Sequence, residues 1–172
     1  MNDIQVPDLD VVPIIEALNR HRVRYVVIGG IASLVHRADV PRTLDVDVTP
    51  SRDEGNLKQL AAALKELGAQ LRAPGLDTGF PIPLDERMLT RMTTLTLVTP
   101  YGPLDLSFVP DGTTGYEDLA QGATMVSALG VQFPVAALAD VIRSKEAAGR
   151  AKDLEHLPAL RRRLKELQTG VE

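Results

Sequence analysis

The sequence predicts an α/β fold closed by a short helical extension. Three observations carry that expectation. Strand-length apolar runs and strict alternations are interleaved with stretches of helical period, bounded by Gly, Pro and capping residues. After Ala136 the helical period continues almost to the end, broken near Gly149. The 172 residues are 44% hydrophobic and 24% charged, which suits one folded domain and excludes a disordered chain. The expected division is a core over 1–134 and a helical extension over 135–172 packed on it.

Each element has its local reason. Asp10 reads as an N-cap, with Pro13 tolerated in the first turn. Val12, Ile15 and Leu18 share a face of the helix that follows, flanked by Ile14. Arg24–Ile28 is a buried strand ended by Gly29-Gly30, and Ile31–His36 a short helix. Thr43–Thr49 alternates strictly. It puts Leu44, Val46 and Val48 on one face and Thr43, Asp45, Asp47 and Thr49 on an open, acidic one. Ser51 and Glu54 have capping-box spacing, opening a helix to Leu67 with Gly68 as its cap. Residues 72–87 hold Pro74, Gly75, Gly79, Pro81 and Pro83 and are expected as a long loop. Strands follow at Leu89–Val98 and Leu104–Val109, joined by a turn over Pro100–Pro103. A short hairpin is expected over Val126–Phe133, then helices over Ala136–Ala148 and Asp153–Leu167.

Composition excludes several functions. There is no cysteine, so disulfide frameworks, thiol nucleophiles and cysteine-ligated zinc are out. Three Tyr, three Phe and no Trp leave little for a base-stacking platform. The net charge of -4 does not describe a general nucleic-acid binder. Yet Arg143, Lys145, Arg150, Lys152, Arg161, Arg162, Arg163 and Lys165 crowd the last fifth of the chain. Over 143–165 only Glu146, Asp153 and Glu155 oppose them, so a local basic surface is expected. No apolar run reaches membrane-spanning length, and Met1-Asn2-Asp3 starts no signal peptide. A cytoplasmic protein is the expectation.

The segment 28–48 carries the chemistry. Asp45 and Asp47, two apart on a strand, share a face at about 6.5–7 Å between Cα atoms. Carboxylates that close repel unless a cation separates them. Hard divalent ions such as Mg²⁺ take one or two carboxylates together with substrate phosphates. Gly29-Gly30 opens a helix with unpaired N–H groups, and its missing Cβ atoms let a phosphate approach; Ser33 could add a hydroxyl. In Leu104–Phe108 the alternation buries Leu104, Leu106 and Phe108 and leaves Asp105 and Ser107 on the open face. A third carboxylate beside the first two would support a two-metal site. Taken singly, a Gly-Gly is an ordinary turn and an Asp-x-Asp a solvated face. His21, His36 and His156 have no ligand spacing and read as surface or boundary residues. Ser33 and Ser107 lack His–Asp partners in sequence, so serine-hydrolase chemistry has little support.

Gly29-Gly30, Arg42-Thr43, Asp45-Val46-Asp47 and the later Asp105 resemble the nucleotidyltransferase superfamily with the DNA polymerase beta-like fold. The particular form is similar to its minimal bacterial branch, which holds the AbiEii-type and MenT-type toxins. Lys145 and Arg150-Ala151-Lys152-Asp153-Leu154 resemble the motif those toxins carry on C-terminal helices. The resemblance implies a mixed sheet flanked by helices. It implies that Gly29, Gly30 and Ser33 hold the triphosphate of an NTP, and that Asp45 and Asp47 hold Mg²⁺. Asp105 would be a base or a further metal ligand. Lys145 would neutralise the triphosphate or departing pyrophosphate, and Asp153 would orient Lys145 or contact the nucleotide. Arg150 and Thr43 belong to the same binding set. Arg42 either reaches a phosphate or pairs with Asp39.

The function so implied moves NMP from an NTP to an acceptor hydroxyl. The implied acceptor is the tRNA 3′ end, in a toxin held by a cognate antitoxin. The alternatives are a transferase acting on an antibiotic or metabolite, and a non-catalytic binding module of the same fold. Thr43, one step before Asp45 on the acidic face, is also a position where a phosphate would obstruct the metal site.

Overall fold

The computed structural model describes residues 8–73, 75 and 79–170. The expectations placed on Met1-Asn2-Asp3 and Pro74 lie outside them.

The chain order is α1 (Val11–Arg20), β1 (Tyr25–Ile28), α2 (Gly29–Val35), β2 (Val46–Pro50), α3 (Glu54–Glu66), β3 (Gln70–Arg72), β4 (Gly79–Phe80) and α4 (Glu86–Arg91). Then come β5 (Thr94–Thr99), β6 (Gly102–Ser107), α5 (Tyr116–Gly122), β7 (Thr124–Ala128), β8 (Val131–Val135), α6 (Leu138–Ala148) and α7 (Ala151–Thr169). The strands form one mixed sheet in the order β4-β3-β5-β6-β2-β1-β8-β7. β2 runs antiparallel to β1 and parallel to β6, and β1 runs parallel to β8. A mixed sheet flanked by helices is what the resemblance implied.

The β2–β6 register puts Asp47 opposite Asp105, and Val46 and Val48 opposite Leu104 and Leu106. The four apolar residues are essentially fully buried, which fixes the register: a one-residue slip would bring the carboxylates into the core. Ile14, Ile15 and Leu18 of α1 and Leu57, Leu60 and Leu64 of α3 are buried in the same core. Ile14 is fully buried and not a flanking residue, because the apolar stripe is wide enough to turn both isoleucines inward. Asn56 of α3 ties the β1–β2 pair at its closed end. Its Nδ2 donates to the Arg24 carbonyl at 2.9 Å and the Ser51 carbonyl at 2.8 Å, and its Oδ1 accepts from the Arg24 N–H at 2.6 Å.

Several expected boundaries move. β2 starts at Val46; residues 43–45 bend instead, and the Thr43 hydroxyl donates to the Asp45 carbonyl and carboxylate, each at 3.1 Å. That local bond competes with strand pairing, and it leaves Leu44 75% exposed instead of facing the core. Thr49, expected on the open face, is fully buried. Asp10 sits at the α1 N-cap without a side-chain cap bond. The cap of α3 is Asp53, which accepts from the Asn56 N–H, while Ser51 donates to Asp53. Gly29 and Gly30 belong to α2. Leu89 lies in α4, because Asp85 caps a helical turn there, and the strand begins only at Thr94. The expected loop 72–87 contains β4 and the start of α4 among its described residues. The hairpin is longer than expected, Thr124–Val135. No helix of the described residues is long and apolar enough to cross a membrane.

Candidate active site

The open face of β2 and β6 carries the acidic site. Asp45, just before β2, Asp47 and Asp105 each offer a carboxylate oxygen, and these three oxygens lie within 4.8 Å of one another. Asp105 Oδ1 is buried without a hydrogen-bond partner. Burial first, and then the charges of Asp45 and Asp105, push Asp47 up to about 7, against a smaller pull from Lys152 and Lys145. Burial and Asp45 likewise push Asp105 up to about 6, offset in part by Arg72 and Lys152. Three converging carboxylates, one with an orphaned oxygen, form the hard, anionic donor set that a divalent cation needs. The residues fit such an ion.

The two glycines serve these side chains. Gly29 has φ +67°, a conformation costly for any other residue, and a Cβ there would overlap the Asp47 carboxylate. A Cβ at Gly30 would lie 2.6 Å from the Thr43 Oγ1. The space freed by the missing Cβ atoms is therefore taken by Asp47 and Thr43. Ser33 is buried and its hydroxyl donates to the Gly29 carbonyl at 3.0 Å. All five residues line one cleft of about 600 Å³, together with Arg42 and the carboxylates.

A second cluster closes that cleft from α6 and α7. Gly149, in the left-handed conformation at φ +63°, ends α6 and lets α7 turn back. The two helices then pack together, so that Lys145 and Asp153 meet from different helices. Lys145 Nζ is 3.2 Å from Asp153 Oδ1, and Arg150 Nε is 2.6 Å from Asp153 Oδ2. The Asp153 side chain is fully buried and that of Lys145 is 13% exposed. Burial opposes ionisation of Asp153, but the bonds from Arg150 and Lys145 win and hold its carboxyl below the usual range. Asp153 thus holds both Lys145 and Arg150 at hydrogen-bond distance.

The structure brings all eleven expected residues to this cleft. It also adds some. Lys152 lines the cleft, and its charge acts on both Asp47 and Asp105. Its place one residue before Asp153, in the first turn of α7, was the available signal. His156 and Ser144 line the cleft from α7 and α6. Thr94 and Thr96 line it from β5, and only the strand pairing, invisible in the sequence, puts them beside Ser107 and Asp105. The remaining basic residues of α7 are partly spent elsewhere. Arg161 pairs with Glu146, while Arg163 donates to the His36 carbonyl and pairs with Glu166.

Fold and site together define the class: an acidic triad that could hold a metal ion, at the central strands of a nucleotidyltransferase fold. The solved structures similar to this chain bear the same fold. Lincomycin-bound LnuA, a lincosamide antibiotic adenylyltransferase, superposes with a TM-score of 0.61 at 12% identity, over 90% of this chain and 98% of that one. The antibiotic-resistance factor ANT(2'')-Ia superposes with a TM-score of 0.56 at 14% identity, over 93% and 88%. TM1012 of Thermotoga maritima, a nucleotidyltransferase by assignment, gives 0.53 at 18% identity, over 91% of each chain. No family model matches the chain, and no curated protein does.

Proposed function

We propose that this protein is an Mg²⁺-dependent nucleotidyltransferase that moves NMP from an NTP to a hydroxyl of a small acceptor. The observation that carries the reading is the carboxylate triad of Asp45, Asp47 and Asp105 with its orphaned Asp105 oxygen. Asp45 and Asp47 would hold the cation, and Asp105 would hold it too or take the acceptor's proton. When bound, the ion lowers the cost of deprotonating the nucleophile and offsets charge developing on phosphorus. The acceptor oxygen bonds to the α-phosphorus as the bond to pyrophosphate breaks. Lys145, Arg150 and Lys152 stabilise the departing pyrophosphate, with Asp153 fixing the first two. Gly29, Gly30, Ser33, Arg42 and Thr43 complete the wall against the triphosphate. In this reading 1–134 and the extension 135–172 form two sides of one active unit.

The small acceptor is favoured because LnuA, an antibiotic adenylyltransferase, superposes over 90% of this chain and 98% of its own. A second reading is a toxin, held by a cognate antitoxin, that modifies the tRNA 3′ end. The exposed Arg162 and Lys165 on α7 favour it, since cations on one helix suit an RNA backbone.

The test is incubation with Mg²⁺ and each α-³²P-labelled NTP in turn, with an RNA-free small-molecule cell extract or with total tRNA. Asp45→Ala is the control. Label on a small product, lost in the variant, is the expected result. Label on tRNA would establish the second reading. No label on either acceptor, with no thermal stabilisation by Mg²⁺ and NTP, would leave the fold as a non-catalytic binding module.

A further inference from the structure

We infer that the acceptor is an anionic hydroxylated molecule, whose phosphate or carboxylate Arg72 receives on the sheet floor beyond Asp105. This rests on the nucleotidyl-transfer reading above. In a displacement at phosphorus the entering and leaving oxygens lie roughly in line, on opposite sides. Lys145 belongs to α6, which packs on α2, and α2 packs on β1 and β2. The pyrophosphate side of the triad is therefore the β1 side. The acceptor enters from the other flank, over β6, β5 and β3.

The register specifies what it meets there. Asp105 pairs with Thr96 and Ser107 with Thr94, so the four side chains share the open face. Thr94 and Thr96 are exposed, while Leu95 and Leu97 between and beyond them are buried on the other face. Leu71 pairs with Leu97, so Arg72 comes next to Thr96 on the open face. The register sets Arg72 beside Thr96, and Thr96 beside Asp105, across three neighbouring strands. Asp105 is the only acidic residue of β3, β4, β5 and β6. The floor thus offers hydroxyls for a polyol and one guanidinium for a bidentate anion. Among its described residues Asp105 is the one carboxylate that could face a cation, and in the nucleotidyl-transfer reading that carboxylate is taken up with the metal.

The experiment uses the full chain loaded with Mg²⁺ and the non-hydrolysable analogue, of ATP, GTP, CTP or UTP, that it takes up best, which fills the pyrophosphate side. Loading is checked by thermal shift. Ribose 5-phosphate, ribose and the polycation tobramycin are then titrated calorimetrically into wild type, Arg72→Gln and Arg72→Lys. Wild type should prefer ribose 5-phosphate over ribose by about tenfold, the scale of one charge-assisted contact. Arg72→Gln should lose that preference, Arg72→Lys should keep part of it, and tobramycin should not bind. Equal binding of ribose and its phosphate, tobramycin as the tightest ligand, or an undiminished preference in Arg72→Gln would overturn the inference. Failure of the wild type to take up any of the four analogues would overturn the nucleotidyl-transfer reading, and this inference with it.

Discussion

Two charged clusters line the same cleft and are balanced in opposite ways. Around Asp153 one buried carboxylate is held by two cations at hydrogen-bond distance. Around Asp47 three carboxylates crowd together, and one buried oxygen has no partner. The first cluster is complete as the chain folds. The second has no ion-pair partner among the described residues and could hold a metal ion. The two surroundings shift their carboxyls in opposite directions: Asp153 is held below its ordinary range, whereas Asp47 and Asp105 are pushed up to about 7 and about 6. Buried charge alone does not mark a site; buried charge without its counter-charge does.

The largest effect expected from breaking this contrast is on turnover. Asp45→Ala or Asp47→Ala should lower NMP transfer by at least about a thousandfold, the scale of losing a metal that stabilises transition-state charge. A steady-state assay with retained wild-type turnover would remove the metal assignment. Stability should respond in the opposite sense. A carboxylate in the unfolded chain ionises near 3.8, whereas Asp47 and Asp105 keep their protons to about 7 and about 6. Between those limits the folded state binds more protons, so stability falls as pH rises from about 4 to about 7, by the order of a few kcal/mol. Chelator-treated protein unfolded in urea across that range should show the decline, and Asp47→Asn should flatten it.

The complete cluster should behave in reverse. Asp153→Asn leaves Lys145 half-satisfied in a buried place and should cost about 3 kcal/mol. Urea unfolding at neutral pH measures it. Gly29→Ala adds a left-handed penalty to an overlap with the Asp47 carboxylate. It should cost about 2 kcal/mol and also weaken Mg²⁺ binding, which calorimetry would follow. The smallest change is Arg161→Ala, which removes an exposed pair with Glu146. It should alter stability by no more than about 0.5 kcal/mol.

The contrast was only half legible in the sequence. Period-two alternation marks Val46–Val48 and Leu104–Leu106, so the carboxylates on their other face could be named before any pairing was known. The same alternation misplaced Leu44, because the Thr43–Asp45 hydrogen bonds bend the chain before the strand starts. The short helices α4 and α5 are too brief to show a helical period, and α5 went unread. Gly29-Gly30 was readable as special, but its reason was not. The room it makes serves Asp47 and Thr43, a fact of tertiary packing. Lys145 and Asp153 stand eight positions apart on the chain; only the turn at Gly149 makes that spacing a contact.

The most direct test of the central claim is a thermal unfolding series at pH 7.5, with Mg²⁺ alone, with each NTP alone and with both. Wild type and Asp47→Asn are compared. The metal-dependent nucleotide site predicts that one NTP with Mg²⁺ raises the wild-type melting temperature well beyond either component alone, and that Asp47→Asn loses this synergy while remaining folded. An additive response, or the same synergy in Asp47→Asn, would contradict it.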